Sequence, residues 1–294
     1  LLPTRPVTIL LVLAAVLVAA TPVGLVLLGR AGAVAQQAGP AGLGDSAANP
    51  GEGGAKPTGQ ALPGTGTSST AAPADPFADT PAESWPSGAA GLAVPAAAAA
   101  GPWPAKDVAD VLTRAKAALV GARLDPAVLQ RGQPTAYLAQ LAPSTRPLVT
   151  KAIASGEPAI GYVTRLATGY SLAAPVRVRG TITVSVGGSQ QLVVTADVVW
   201  AYPLVGPVAG GVTGAGAWVV VLRTSETYEW YSPAKFGAAD RGLRPGAAVT
   251  AYGNMDCAQV KKGLIGLPTT NQGGVSPDAL FDPATRPDSL PTTC

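Results

Sequence analysis

The chain has 294 residues, with 20 basic and 17 acidic side chains and a formal charge of +3 at pH 7. It contains no histidine, two cysteines and one methionine, which excludes imidazole-based triads, His-containing zinc sites, multi-cysteine clusters and imidazole pH switches. A hydrophobic fraction of 47% beside 36 Gly, 29 Pro and only 13% charged residues does not fit one uniform globule and points to unlike segments in series.

Val7 to Leu28 is an uncharged apolar run, interrupted by Thr8, Thr21, Pro22 and Gly24, with Arg5 before it and Arg30 after it. As a helix it would reach about 33 Å, enough to cross a hydrocarbon layer of about 30 Å. Residues 1–30 therefore read as a transmembrane signal anchor that holds the protein at the cell membrane by a single pass, with the C-terminal domain outside the cytoplasm. The run is longer than the apolar core of a cleaved leader. Ala33-Val34-Ala35 still offers a small-residue cleavage site before Gln36, so secretion after cleavage near Ala35 is the alternative.

Residues 31–102 are rich in Gly, Pro and Ala, and Lys56 is their one basic residue against Asp45, Glu52, Asp75, Asp79 and Glu83. Such a chain buries too little apolar surface to offset its ordering entropy and reads as a disordered linker. Phe77 and Trp85, isolated within it, are expected to be idle. Leu62-Pro63-Gly64-Thr65-Gly66 matches the sortase pattern, but the apolar helix lies upstream of it, and the match reads as chance.

Residues 103–263 have the periodicity of an α+β globular domain. Pro104 opens a helix of about 18 residues whose apolar stripe is Val108, Val111, Leu112, Ala115, Leu119 and Ala122. Asp125-Pro126 caps a short helix that Gly132 ends. Another runs from Pro134 to Leu141, and Ser144 caps a further one that stops at Gly156. Ile160–Leu166 and Ala248–Tyr252 are weaker strand candidates.

Val176 to Val186 alternates apolar and polar residues, and Leu192 to Tyr202 does the same, which predicts a hairpin of half-buried strands. A three-residue loop at 187–189 would set Val184 opposite Leu192, Ile182 opposite Val194 and Arg179 opposite Asp197. Leu204 to Gly216 is a Gly-rich connection; Gly211 to Gly216 precedes a strand rather than a helix, and so lacks the context of a phosphate loop. Ala217 to Tyr231 is a third strand, apolar on both faces at its start, with a bulge expected near Thr224–Glu226. Asp256 caps a short helix that ends at Gly263. Residues 264–294 form an irregular tail, which a Cys257–Cys294 disulfide would pin to the domain in an oxidising compartment.

Site signals are sparse. Glu226 and Glu229, three apart on a strand, fall on opposite faces. Asp197 is read as a surface partner of Arg179. The ligand-binding candidates are Asp197, Trp200, Tyr202, Glu226 and Tyr228; no catalytic residue, metal site or cofactor is assigned. Arg177, Arg179, Lys261 and Lys262 are too dispersed for a nucleic-acid stripe.

The order of anchor, linker, helices and long antiparallel strands resembles the membrane-anchored members of the nuclear transport factor two-like superfamily, over about residues 103–256. The layout is similar to that of actinobacterial conjugation-type secretion assembly proteins and of accessory membrane proteins of lipid importers. Trp200-Ala201-Tyr202-Pro203-Leu204 through Asn254-Met255-Asp256-Cys257 resembles extracytoplasmic actinomycete proteins. The resemblance implies a curved sheet wrapped around helices as a cone. The function expected for such a domain is that of a non-enzymatic, membrane-tethered interaction scaffold with protein partners in the cell envelope, as part of an envelope or conjugation-type secretion complex. The alternative is a cone that binds a small molecule or acts as a carboxylate-based enzyme. Family enzymes place a carboxylate in the cone, often with His or Tyr, and no catalytic residue carries over to this chain.

Overall fold

A computed structural model describes residues 74–188, 190–207, 216–232, 235–268 and 278–290. The apolar run 7–28, the Ala33-Val34-Ala35 site, the sortase-like stretch, Gly211 and Cys294 lie outside the described residues, and so does the Cys257–Cys294 pairing.

The domain is α+β, with helices packed against a mixed six-stranded sheet. Four helices precede the long strands: α1 (Ala105–Arg123), α2 (Pro126–Arg131), α3 (Thr135–Gln140) and α4 (Arg146–Ile153). Two short strands, β1 (Leu92–Ala93) and β2 (Ser171–Leu172), flank the long ones: β3 (Arg177–Gly188), β4 (Gln191–Val205), β5 (Val219–Tyr231) and β6 (Leu243–Gly253). The order across the sheet is β1-β3-β4-β5-β6, with β2 on β4; β1 runs parallel to β3 and the other pairs are antiparallel.

Side-chain parity decides which face each strand residue meets. Val178, Ile182, Leu192, Val194, Val198, Trp200, Tyr202, Val220, Leu222, Tyr228 and Trp230, all even-numbered, enter the main core with the α1 stripe. Gly121 lets α1 approach α3: a Cβ there would lie 2.8 Å from the Tyr137 amide nitrogen. The stops and caps follow the sequence at α2, where Asp125 accepts the Ala127 amide and Gly132 turns left-handed at φ 64°. At α4 the cap differs. Ser144 donates to Asp240 at 2.7 Å, and Thr145 occupies the N-cap position.

The β3–β4 register lies two residues from the expected one. Val184 faces Val194, Ile182 faces Ala196, Arg179 faces Val199 and Asp197 faces Thr181. Gly187 is an extra residue between the pairs Val186–Leu192 and Gly188–Gln191, so a bulge at the end of β3, rather than a three-residue loop at 187–189, sets the register. Parity survives this shift, and Arg179 and Asp197 remain on one face, but as diagonal neighbours. The bulge expected in β5 also lies elsewhere. β5 pairs continuously with β4, and the irregularity is in β6, between the pairs Glu226–Ala248 and Tyr228–Pro245. Ile160–Leu166 is not a strand: a 3-10 turn at Glu157–Gly161 leads into it, with one bridge from Leu166 to Ile265.

The largest departure concerns the linker. Residues 74–102 are folded onto the domain, and Phe77 and Trp85 are buried rather than idle. With Ala82 of the same strap they join Val199, Ala201, Val219, Val221 and Ala251 of the odd-numbered sheet face, together with Leu280, Phe281 and Leu290 of the tail, in a second core. Each buried aromatic contributes roughly 1.5–3 kcal/mol of transfer energy toward ordering this Gly- and Ala-rich strap. Arg177 holds the strap by donating to the Trp85 carbonyl at 2.7 Å and stacking over Phe77 at 5.4 Å. Gly91 passes so close to Val178 that a Cβ would overlap the Val178 carbonyl.

The tail is not loose either. After the expected short helix α5 (Cys257–Val260), capped by Asp256, the described part of the tail forms α6 (Asp278–Phe281). Buried Arg223 donates to the carbonyls of Pro283 at 2.6 Å and Thr285 at 3.3 Å. Asp197 and Asp282 supply compensating charge. Arg223→Met is expected to release this clamp, with amides of residues 280–290 exchanging at least tenfold faster while the β4–β5 amides keep their protection. Uniform acceleration across the sheet, or none in the tail, would refute the clamp.

Candidate functional site

Glu226 is the one acidic residue on the core-facing parity of β5. A carboxylate in that position must find charge and hydrogen bonds to offset its lost hydration. The partner is Arg123, the last residue of α1, one i,i+4 step beyond Leu119 and therefore on the buried stripe. Arg123 is 0% and Glu226 4% exposed.

Arg123 Nη2 and Nε both donate to Glu226 Oε1, at 2.6 and 3.1 Å. Nη1 donates to the Ile160 carbonyl at 2.7 Å and to Thr164 Oγ1 at 3.3 Å, and Nη2 also reaches the Gly161 carbonyl at 3.1 Å. All five guanidinium N–H groups are thereby used. Tyr228 donates its hydroxyl to Glu226 Oε2 at 2.9 Å. Tyr202 donates to the Arg123 carbonyl at 3.2 Å and lies 3.0 Å from Thr164 Oγ1. Tyr137 joins through Tyr228.

Burial opposes the Arg123 charge, but the attraction and hydrogen bond from Glu226 hold its pKa above the ordinary arginine value. Burial also pushes the phenols of Tyr137, Tyr202 and Tyr228 up, and the Glu226 carboxylate adds to this at all three.

This network brings together three of the sequence candidates: Tyr202, Glu226 and Tyr228. Trp200 is buried on the same face and donates Nε1 to Thr224 Oγ1 at 3.1 Å. Asp197 is apart from them, half-buried on the opposite face of the sheet, in a cleft of about 250 Å³ with Ser225, Val249, Arg286, Pro287 and Asp288. Arg123, Tyr137 and Thr164 were missed by sequence reasoning. The available signal was the spacing of Arg123 from Leu119 on the stripe, set against a single acid on a buried strand face. Glu226, one of the sequence candidates, is a clearly buried carboxylate.

The chemistry open to the network is narrow. Both Glu226 oxygens are engaged, and the cavity beside it, lined by Tyr137, Tyr162, Tyr228 and Gly246 among others, measures about 10 Å³. That is at most room for one water. The pair acts as a strut between α1 and β5 rather than as a base facing a substrate.

Outward from this point a larger cleft of about 340 Å³ opens between the 157–161 turn and β6. Glu157, Pro158, Ile160, Gly161 and Tyr162 form one wall; Gly246, Ala248, Thr250 and Tyr252 form the other. Tyr252 donates to Glu157 Oε1 at 3.4 Å. Among the described residues, no group of three or more Cys, Asp or Glu side chains converges as a metal centre. Comparison of the chain with protein-family models, curated proteins and solved structures found no match.

Proposed function

We propose that this chain is a non-enzymatic scaffold, tethered to the membrane by residues 7–28, whose extracytoplasmic domain engages protein partners in the cell envelope. The observation that carries this reading is the occupied interior: the one carboxylate buried among the described residues is neutralised by Arg123 and bonded to Tyr228, and the cavity against it measures about 10 Å³. A catalytic cone needs a carboxylate facing an open pocket. The α1 and α3 helices against one sheet face are consistent with the nuclear transport factor two-like cone that the element order resembles. A conjugation-type secretion or transport assembly is the kind of complex such a domain would serve. The Cys257–Cys294 bond, which fits an oxidising compartment, belongs to the same proposal.

The test is mild amine crosslinking in intact cells, followed by membrane isolation and sizing of the solubilised protein. The scaffold reading expects the chain in the membrane fraction and in discrete crosslinked species. Recovery as an uncrosslinked monomer, or entirely in the secreted fraction, would count against it.

A further inference from the structure

The geometry points to the open edge of β6 as the docking site for an extended, lysine- or arginine-bearing peptide segment of a partner protein, which adds as a strand and seats a basic side chain at Glu157. This rests on the interaction reading above and specifies where the partner lies.

β6 pairs with β5 along one side; on its other side, among the described residues, it carries one bridge, from Leu141 to Leu243 at its very start. From Gly246 to Val249 it is exposed. Natural sheet edges are usually blunted by charged side chains, prolines or bulges. Here Pro245 and the bulge protect only the first part. Gly246 to Gly253 reads Gly-Ala-Ala-Val-Thr-Ala-Tyr-Gly, with no charge in eight residues. Small side chains leave the edge accessible over residues 246–249, which is the requirement for strand addition.

The cleft lies beside this edge. Its β6 wall consists of Gly246, Ala248, Thr250 and Tyr252, alternate residues of one strand, so an added strand would place alternate side chains over the same face. The stretch spans about 20 Å, or seven residues. Thr250 Oγ1 is shielded from water and has no hydrogen-bond partner in the described chain.

Charge selects the occupant. Glu157 is the one charged residue that lines the cleft, although the chain as a whole is positive. The rings of Tyr162 and Tyr252 stand in the same wall set. A carboxylate beside aromatic rings suits an ammonium or guanidinium group, and repels an acidic one.

The probe is a capped, fluorescent heptapeptide of alternating valine and lysine, titrated at low salt against the full chain in detergent micelles. Binding is expected, with hydrogen-exchange protection over residues 246–252. The peptide with glutamate in place of lysine should bind at least tenfold more weakly, and Glu157→Gln should weaken the lysine peptide about fivefold. Methylating every second peptide amide should abolish binding in one phase and spare it in the other, because only one set faces β6. Ala248→Arg, which fills the cleft, should also abolish it. The proposal is overturned by no binding at millimolar peptide, by equal affinity for the two charge forms, by indifference to both methylation phases, or by unchanged affinity in Ala248→Arg. Crosslinked envelope complexes that persist in Ala248→Arg cells would overturn this docking site and leave the scaffold reading standing. Their absence from unaltered cells would remove that reading itself.

Discussion

Arg123→Ala is expected to destabilise the domain by about 3–5 kcal/mol, the usual cost of leaving one member of a buried ion pair without its partner. The substitution strands the Glu226 carboxylate, 4% exposed, and withdraws donors from the Ile160 and Gly161 carbonyls. Against a total stability of roughly 5–15 kcal/mol, that is a large fraction of the fold. Urea denaturation followed by tryptophan fluorescence measures it. Arg123→Met with Glu226→Leu removes both charges and keeps the volume. The pair is expected to recover much of the loss, because an apolar contact can replace a desolvated ion pair at little net cost. If Arg123→Ala alone stays within about 1 kcal/mol of the unaltered protein, the strut is not what holds α1 against the sheet. The double variant also separates the two functional classes, since a carboxylate-based activity would vanish in a protein that remains folded, whereas partner binding would persist.

A second large effect is expected above pH 10. Burial holds the phenols of Tyr137, Tyr202 and Tyr228 above the ordinary tyrosine value in the folded state. The unfolded chain ionises near pH 10, so below that pH both states keep their protons and the three groups add no pH dependence. As pH rises through 10, the unfolded state loses protons that the folded state retains, and stability falls. Each phenol contributes up to about 1.4 kcal/mol per pH unit, so the three together give about 4 kcal/mol per unit until their folded-state values are reached. Spectrophotometric titration should show these three tyrosines ionising only together with loss of near-ultraviolet circular dichroism. Tyr228→Phe should reduce the slope by about a third. Reversible ionisation of all seven tyrosines near pH 10 in a protein that stays folded would show that the network is open to water.

What could be read in the sequence follows from where periodicity is strong. The alternation of Val178 to Val186 and of Leu192 to Tyr202 gave both strands and their buried parity, because a half-buried strand writes its face into every second residue. Their register could not be read. Gly187 and Gly188 end β3, and glycine accepts bulged and regular pairing alike, so nothing in the side chains marks Gly187 as the extra residue. Phe77 and Trp85 were hidden for a different reason. Two aromatics diluted among Gly, Ala and Pro look like linker by composition, and their partners Phe281 and Leu290 lie some two hundred positions away. Tertiary burial of that kind has no local signature. Of the site, the even parity of Glu226, Tyr228 and Tyr202 was visible, while Arg123 was obscured because a charge at the end of a helix normally reads as solvent-exposed.

The second core has a mechanical meaning. Trp85 from the incoming strap and Phe281 from the tail meet edge to face, with ring centroids 5.9 Å apart. A pull delivered through the chain into residue 74 meets this aromatic contact before it meets the β1–β3 pair. The load would peel the odd-numbered face before it reached the Arg123–Glu226 strut. Tension on the tether proposed above would therefore act first on the strap and on the sheet face that Phe77 and Trp85 cover.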